Sequence, residues 1–156
     1  MNTLENLAVR GQLGIVLKDK DGNIKDERLV KNLVVNKGLE YITSRMKSAV
    51  SGGKALMSHI GLGSGTGSAS ASDTDLGSIL GSREALDSTT ISGTNNEKIV
   101  YVASFEAGDA TGAVTEAGIF NASTSGDMLC RTTFSAVNKG ASDTMSITWT
   151  ITLSAS

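Results

Sequence analysis

Residues 143–154 read DTMSITWTITLS, and their pattern indicates the fold class more clearly than any other segment. Apolar side chains occupy every second position, and Ser or Thr fills the positions between them. Strict alternation over this length predicts a β-strand with one buried face and one hydroxyl-rich face. The apolar positions are Met145, Ile147, Trp149, Ile151 and Leu153, and we expect the first four of them in the structural core.

The same alternation appears elsewhere in the chain. Residues 12–35 predict an N-terminal β-hairpin that turns at Asp21-Gly22, because this dipeptide suits the positive φ angles of tight turns. Residues 97–107 predict a strand with Ile99, Tyr101, Ala103 and Phe105 on one side, and we expect Ile99, Tyr101 and Phe105 in the structural core. Further strands are predicted in four segments, of which the last two form a hairpin: 54–63, 85–92, 114–122 and 127–137.

Two segments have helical spacing. Residues 36–50 place apolar side chains three and four positions apart, at Leu39, Ile42, Met46 and Val50, with Asn36 available as a cap. A second, short helix is predicted from Asp73, although glycines weaken it. We therefore expect one domain over residues 1–156 that is mainly β, a β-sandwich or jelly-roll with one α-helix.

Residues 59–68, HIGLGSGTGS, resemble a phosphate-binding loop at first sight. A dinucleotide loop needs its third glycine five residues after the first, yet Thr66 or Ser68 stands there, and no Gly-Lys-Ser/Thr follows. The following SASASDTD is low-complexity rather than amphipathic. We therefore expect a flexible Gly/Ser loop around residues 61–72, without a bound nucleotide or other cofactor.

Catalytic and metal-binding patterns are also missing. One histidine, His59, and one cysteine, Cys130, cannot form a zinc site in one chain, and no nucleophile-elbow motif accompanies His59. The segment DKDGN at residues 19–23 lacks the glycine and glutamate positions of a calcium loop. We expect no enzyme activity and no metal site, while a cation held between subunits stays open.

Glu116 is an acid within an apolar predicted strand, and it shares a face with Val114, Gly118 and Phe120. If that face is the inner one, the carboxylate must be paired or hydrogen-bonded. Arg131 on the neighbouring predicted strand is the natural partner, so a buried Glu116–Arg131 ion pair is one alternative. The other is a glutamate that faces solvent.

Charge and hydropathy limit the partners. The net charge is −2 and no basic run stands out, which argues against a nucleic-acid-binding protein. No apolar stretch reaches transmembrane length, and the N-terminus does not resemble a signal peptide. We therefore expect assembly in the cytoplasm and no membrane partner.

Three blocks carry a resemblance: LVKNLVVNKGLEYITSRM at 29–46, MSHIGLGSGTGSASASDTDLGS at 57–78, and residues 114–153, from VTEAGIFNA to TWTITL. In this order they resemble a family of small virion proteins of tailed bacteriophages, which appear as head-decoration (cement) or tail-fibre proteins. The resemblance covers almost the whole chain. It implies a non-enzymatic β-rich structural protein present in many copies on the particle.

Within that family, head decoration fits better than a fibre. Fibre proteins usually carry elongated repeats or coiled-coil heptads, and neither is found in this sequence. The expected partner is the major capsid protein, the expected location is the virion, assembled in the host cytoplasm, and the expected state is a homo-oligomer, either dimer or trimer. The alternative is a small tail or fibre protein that binds a host receptor.

Overall fold

The computed structural model describes residues 6–47 and 54–155. In that part of the chain nine strands and one helix follow one another. They are β1 (Leu7–Lys18), β2 (Ile24–Val34), α1 (Asn36–Lys47), β3 (His59–Gly63), β4 (Glu84–Ala85), β5 (Ser88–Ser92), β6 (Lys98–Phe105), β7 (Gly112–Phe120), β8 (Met128–Lys139) and β9 (Thr144–Ala155). The prediction of a mainly β protein with one helix and an N-terminal hairpin is confirmed.

The strands form one curled antiparallel sheet in the order β4-β3-β7-β8-β2-β1-β9-β6-β5. Strand β2 joins its two halves, since it pairs with β1 along most of its length and with β8 only at Leu33 and Val34. We call β2-β1-β9-β6-β5 sheet A and β4-β3-β7-β8 sheet B. Residues of both halves share one apolar core, as in a β-sandwich.

Trp149 lies at the centre of the core and is fully buried. Its cross-strand neighbours are Leu13 on β1 and Tyr101 on β6. Six of the seven residues proposed above as structural core are buried: Tyr101, Phe105, Met145, Ile147, Trp149 and Ile151. The seventh, Ile99, is half-buried and packs against the core, while Leu153 is 39% exposed because the core ends there.

The turn of the N-terminal hairpin is built as the sequence predicts. Gly22 has a φ of 84°, a conformation that glycine adopts without steric strain. The Asp19 carboxylate accepts hydrogen bonds from the backbone N–H groups of Asp21 and Asn23, each at 2.9 Å. These bonds explain why aspartates gather at this turn without forming a calcium loop.

The helix departs from the prediction in its cap and its buried face. The carbonyl of Val35 accepts the first helical hydrogen bond, from Leu39, while the Asn36 N–H donates to the carbonyl of Ala71. Leu39 and Met46 are exposed, and Tyr41 is buried in their place. The reason is a close approach to β8, where Gly38 lies against the Leu129 carbonyl with no room for a Cβ.

Val50, which the helical spacing included, lies outside the described residues.

The second predicted helix is not formed, and the residues from Asp73 onward form bends and an isolated β-bridge between Ile79 and Gly63 instead. The physical reason lies in the backbone: the N–H groups of Gly77 and Ser78 are bound by a side chain of β7, so they cannot serve a helix. The predicted strand at 54–63 is also shorter, since only His59–Gly63 pairs. Gly61 and Gly63 therefore belong to β3 rather than to a loop.

Candidate functional site

Strand β7 is buried on both faces from Glu116 to Phe120. Ala117 and Ile119 join the core between the two sheets, whereas Glu116, Gly118 and Phe120 face the opposite way and are buried as well. Residues 64–83, which we call the covering loop, lie over that second face. The loop's apolar contact is Leu76, and its Arg83 guanidinium stacks 3.4 Å from the centroid of the Phe120 ring.

The Glu116 carboxylate is fully buried and anchors the covering loop. Its Oε1 accepts hydrogen bonds from the backbone N–H groups of Gly65 at 2.9 Å and Ser78 at 2.8 Å. Its Oε2 accepts the Gly77 N–H at 2.9 Å and two N–H groups of the Arg131 guanidinium, at 3.0 and 2.8 Å. The Glu116 side chain thus holds two sections of the covering loop, at Gly65 and at Gly77–Ser78, together with the neighbouring strand β8.

Arg131 completes the anchor from β8. Its Nη1 lies 2.6 Å from Asp73, and its Nη2 donates to the carbonyl of Gly67 at 3.1 Å. The guanidinium therefore joins the sheet to a second section of the covering loop. Glu116 and Arg131, the pair that the sequence suggested, are in direct contact beneath this loop rather than in the inner core.

The charged state of Glu116 is maintained by these contacts. Burial by itself would raise the pKa of Glu116, but hydrogen bonds from Gly77, Ser78, Arg131 and Gly65 outweigh it, and the pKa lies below its ordinary value. For Asp73 burial likewise acts to raise the pKa, but the hydrogen bond from the Ser70 amide and the contact with Arg131 outweigh it, so the pKa lies below its ordinary value. Both carboxyls are therefore ionised at neutral pH.

The hydrogen bonds to Glu116 explain why the Gly-rich segment does not offer a nucleotide site and why it is not a free loop. A phosphate-binding loop offers free backbone N–H groups, but here those of Gly65, Gly77 and Ser78 are occupied by the protein's own carboxylate. The expectation of a flexible connection did not include these bonds. Gly63 and Gly65 of this segment have a tertiary role, because a Cβ at either position would clash with the Glu116 carboxylate.

The other residues considered for chemistry are placed apart. His59 Nδ1 contacts the hydroxyl of Ser58, its neighbour in the chain, at 2.8 Å. Cys130 is buried, and burial raises the pKa of its thiol well above the usual range, which makes the sulfur unreactive. Within residues 6–47 and 54–155 no group of three or more His, Cys, Asp or Glu side chains is arranged to hold a metal ion.

Sheet A differs because its outer face is open to solvent. Along β9 the residues that alternate with the core side chains are hydroxylated and partly or fully exposed: Thr144, Ser146, Thr148, Thr150 and Thr152. Thr148 pairs on one side with Gly14 and on the other with Val102, so small side chains also flank this row. We call this outer surface of β2, β1, β9 and β6 the bare face.

A groove lies at one end of the bare face. Arg10, Thr152 and Lys98 form one cross-strand row, and Gln12 pairs with both Lys31 and Thr150 in the next. The resulting groove has a volume of about 690 Å³ and is open to solvent. We call it the basic groove, and it is lined by Val9, Arg10, Gly11, Gln12, Lys31, Asn32, Lys98, Thr150 and Thr152.

Two of the three cations of the basic groove have no ion-pair partner in the described part of the chain. Neither Arg10 nor Lys31 forms an ion pair with any residue described. Lys98 has Glu97 nearby, since the pKa of the Glu97 carboxyl is lowered by backbone hydrogen bonds of Glu97 and Asn95 and also by the charge of Lys98. In a chain of net charge −2, these three basic side chains give the groove a local positive charge.

This groove is not predicted by any local pattern in the sequence. Its basic residues are separated by 20 to 90 positions, and only strand register brings them together. One signal was available, since Arg10 and Gln12 alternate with the apolar positions of the hairpin and so had to face outward. The position of Lys98 beside Arg10 required the β9 pairing.

No helix in the described residues is long and apolar enough to cross a membrane. No protein-family model, curated protein or solved structure matches this chain.

Proposed function

We propose that this protein is a structural component of a bacteriophage virion and that it acts as a head-decoration (cement) protein. The observation that carries the proposal is the bare face, a wide β surface that no described segment of the chain covers. The resemblance of three sequence blocks to small virion proteins supplies the class. A stable sandwich with one open face is suited to a role that depends on its surface rather than on a catalytic site.

The bare face has properties that favour docking on a large rigid partner. Its middle consists of hydroxyl and small aliphatic side chains, which lose little conformational freedom when they are covered. The core behind it holds it rigid, because Trp149 and its neighbours alternate with these residues along β9. Many copies on a symmetric shell would add modest single contacts into a large stabilisation.

The basic groove suggests which chemistry the partner presents. Arg10, Lys31 and Lys98 call for carboxylates, so the docking site on the major capsid protein is expected to carry Asp or Glu side chains. The ionic contact between the groove and the capsid protein would weaken as salt is added, because the groove is open to solvent.

The same groove favours an alternative function in the tail. Hydroxyls of Thr150 and Thr152 and the amide of Gln12 lie among the cations, a combination that can bind an acidic glycan on a host cell. The alternative is a small tail or fibre protein that binds such a receptor.

Binding to purified, expanded heads that lack the protein tests the proposal. Wild-type protein is expected to saturate at a symmetry-related copy number and to raise the temperature at which heads rupture. Arg10→Glu combined with Lys98→Glu should weaken that binding, because it reverses two charges of the groove. Lys20→Glu, which reverses one charge at the exposed hairpin turn outside the groove, should leave it unchanged.

The outcomes separate the two functions. Saturable head binding that the groove variant weakens supports decoration of the head. If heads neither bind the protein nor gain thermal stability, while host cells bind it and the groove variant abolishes that binding, the receptor-binding alternative replaces it.

A further inference from the structure

Strand β5 ends sheet A with an open edge. It pairs with β6 through all of its residues, from Ser88 to Ser92, and no other described strand pairs with its far side. Its sequence, STTIS, has no charge and no proline, and its register with β6 contains no bulge. Ile91 at this edge is 68% exposed. Monomeric proteins usually protect such an edge with lysine, proline or a bulge, because it can accept another strand.

The opposite edge of the curled sheet is protected. Strand β4 has only two residues, and one of them is the charged Glu84. The buried Arg83 precedes it and is held by the carbonyls of Ala122 and Ser125. Of the two edges, only β5 has the length and composition to add a strand.

We propose that β5 pairs with β5 of a second copy of this chain to form a dimer with a continuous antiparallel sheet. An antiparallel pair of identical strands is generated by a twofold axis, so each copy supplies the same surface. With the axis at Thr90, the middle residue, Ser88 faces Ser92 of the other copy and Thr89 faces Ile91. Every pair is then uncharged and β-branched or small, a self-complementary set.

Two interactions would stabilise this dimer. Unpaired N–H and C=O groups of β5 find partners in the sheet, as in strand addition generally. The exposed Ile91 side chain is covered by the second copy, next to the half-buried Ile99 that pairs with it on β6. A second copy is favoured over a different protein because STTIS has no charge or large pocket that would select a foreign segment.

The dimer brings the two bare faces into one surface. Thr90 pairs with Val100, whose side of β6 carries the outward residues Lys98 and Val102. Extension of the sheet through β5 would therefore join two bare faces edge to edge and place two basic grooves on one side. This inference does not depend on whether the partner belongs to the head or the tail.

Sedimentation equilibrium of the purified full chain tests the dimer. Wild-type protein is expected to have a mass of about 32 kDa at high concentration, twice the 16.1 kDa of the chain, and to dissociate on dilution. Ile91→Lys places a charge at the edge and should keep the protein at the monomer mass. Hydrogen exchange should show protection of the 88–92 amides that is lost on dilution and in this variant.

Leu29→Lys is the matched control. Leu29 is 69% exposed and also lies within a strand, but on β2, away from the proposed joint. It should dimerise as the wild type does, and both variants should show the circular dichroism of the native fold. A wild-type protein that stays monomeric at every concentration, a trimer, or an Ile91→Lys variant that dimerises as tightly as the control would overturn the proposal.

Discussion

Strands β9 and β7 are both central in their sheets, yet they solve the problem of burial in opposite ways. In β9 one face is buried and the other is open, so every second residue is polar. In β7 both faces are buried from Glu116 to Phe120, one by the opposing sheet and one by the covering loop. A strand with two buried faces has to accommodate any charge it carries, and Glu116 is accommodated by hydrogen bonds from the loop that buries it.

This difference between the two strands indicates which surface is free to bind a partner. The face of β7 is closed by the protein itself, and its ion pair serves the fold. The face of β9 is open and presents uniform hydroxyls that nothing in the described chain requires for folding. A change beneath the covering loop should therefore act on stability, and a change on the bare face should act on binding.

The largest effect is expected at the centre of the core. Trp149→Ala should lower the free energy of unfolding by about 3–5 kcal/mol, because it removes a fully buried indole and leaves a cavity between the sheets. Urea unfolding followed by circular dichroism measures the change. In the native wild-type protein the Trp149 emission should be blue-shifted, and an emission maximum typical of exposed indole would contradict the burial.

A loss of about 3 kcal/mol is expected for Glu116→Leu, because Arg131 keeps a buried charge and three loop amides lose their acceptor. The double variant Glu116→Leu, Arg131→Met should recover part of this loss, since it removes the Arg131 charge that has lost Glu116, although it also takes from Asp73 its partner. Urea unfolding of the wild type, both single variants and the double variant gives the coupling free energy. A coupling free energy near zero would mean that Glu116 and Arg131 do not stabilise each other.

Two glycines of the 61–72 segment distinguish an anchored loop from a flexible one. A Cβ at Gly63 would lie 2.5 Å from both the Glu116 Oε1 and the Ser78 carbonyl oxygen, so Gly63→Ala should destabilise by about 1–3 kcal/mol. Gly67 has open space around its Cβ position, and Gly67→Ala should be neutral or slightly stabilising. Limited proteolysis within residues 64–83 should accelerate in the first variant only. Equal behaviour of the two variants would support a flexible connection.

Lowering the pH should open the covering loop over β7 before it affects β9. The pKa values of Glu116 and Asp73 lie below their ordinary 4.5 and 3.8, so the unfolded chain takes up protons at a higher pH than the folded protein. Their contribution to stability is complete above those ordinary values and is lost as the pH falls through the lower, folded values. Hydrogen exchange between pH 7 and pH 3 should show faster opening of residues 64–83. In Glu116→Gln this pH dependence should be weaker, and an unchanged profile would exclude Glu116 as its source.

The smallest effect on stability is expected on the bare face. Thr148→Val keeps the shape of the side chain and its β-branching, and should change the free energy of unfolding by no more than about 0.5 kcal/mol. Head binding should weaken, because a row of hydroxyls is interrupted at its centre. A large loss of stability would show that the bare face contributes to folding after all.

Particular elements show why some features were readable and others were not. The N-terminal hairpin, the β7–β8 hairpin and the alternation of β9 depend on residues close in sequence, and the side-chain period of two reports them directly. The buried face of α1 was misjudged because the close approach of Gly38 to Leu129 depends on a strand some ninety residues away. The prediction of a helix after Asp73 was wrong for the same kind of reason, because Glu116, about forty residues away, binds the backbone N–H groups of Gly77 and Ser78.

Local sequence patterns predict the antiparallel β character, the turn at Gly22, most of the core and, as one of two alternatives, the pairing of Glu116 with Arg131. Those features follow from local periodicity and from the energetic penalty of burying an unpaired charge. Three other features become visible only in the folded chain: the Gly/Ser segment covers β7, Arg10, Lys31 and Lys98 surround one groove, and β5 lies at an open edge. Each of these depends on which strands become neighbours, and long-range strand order is not encoded in any local pattern.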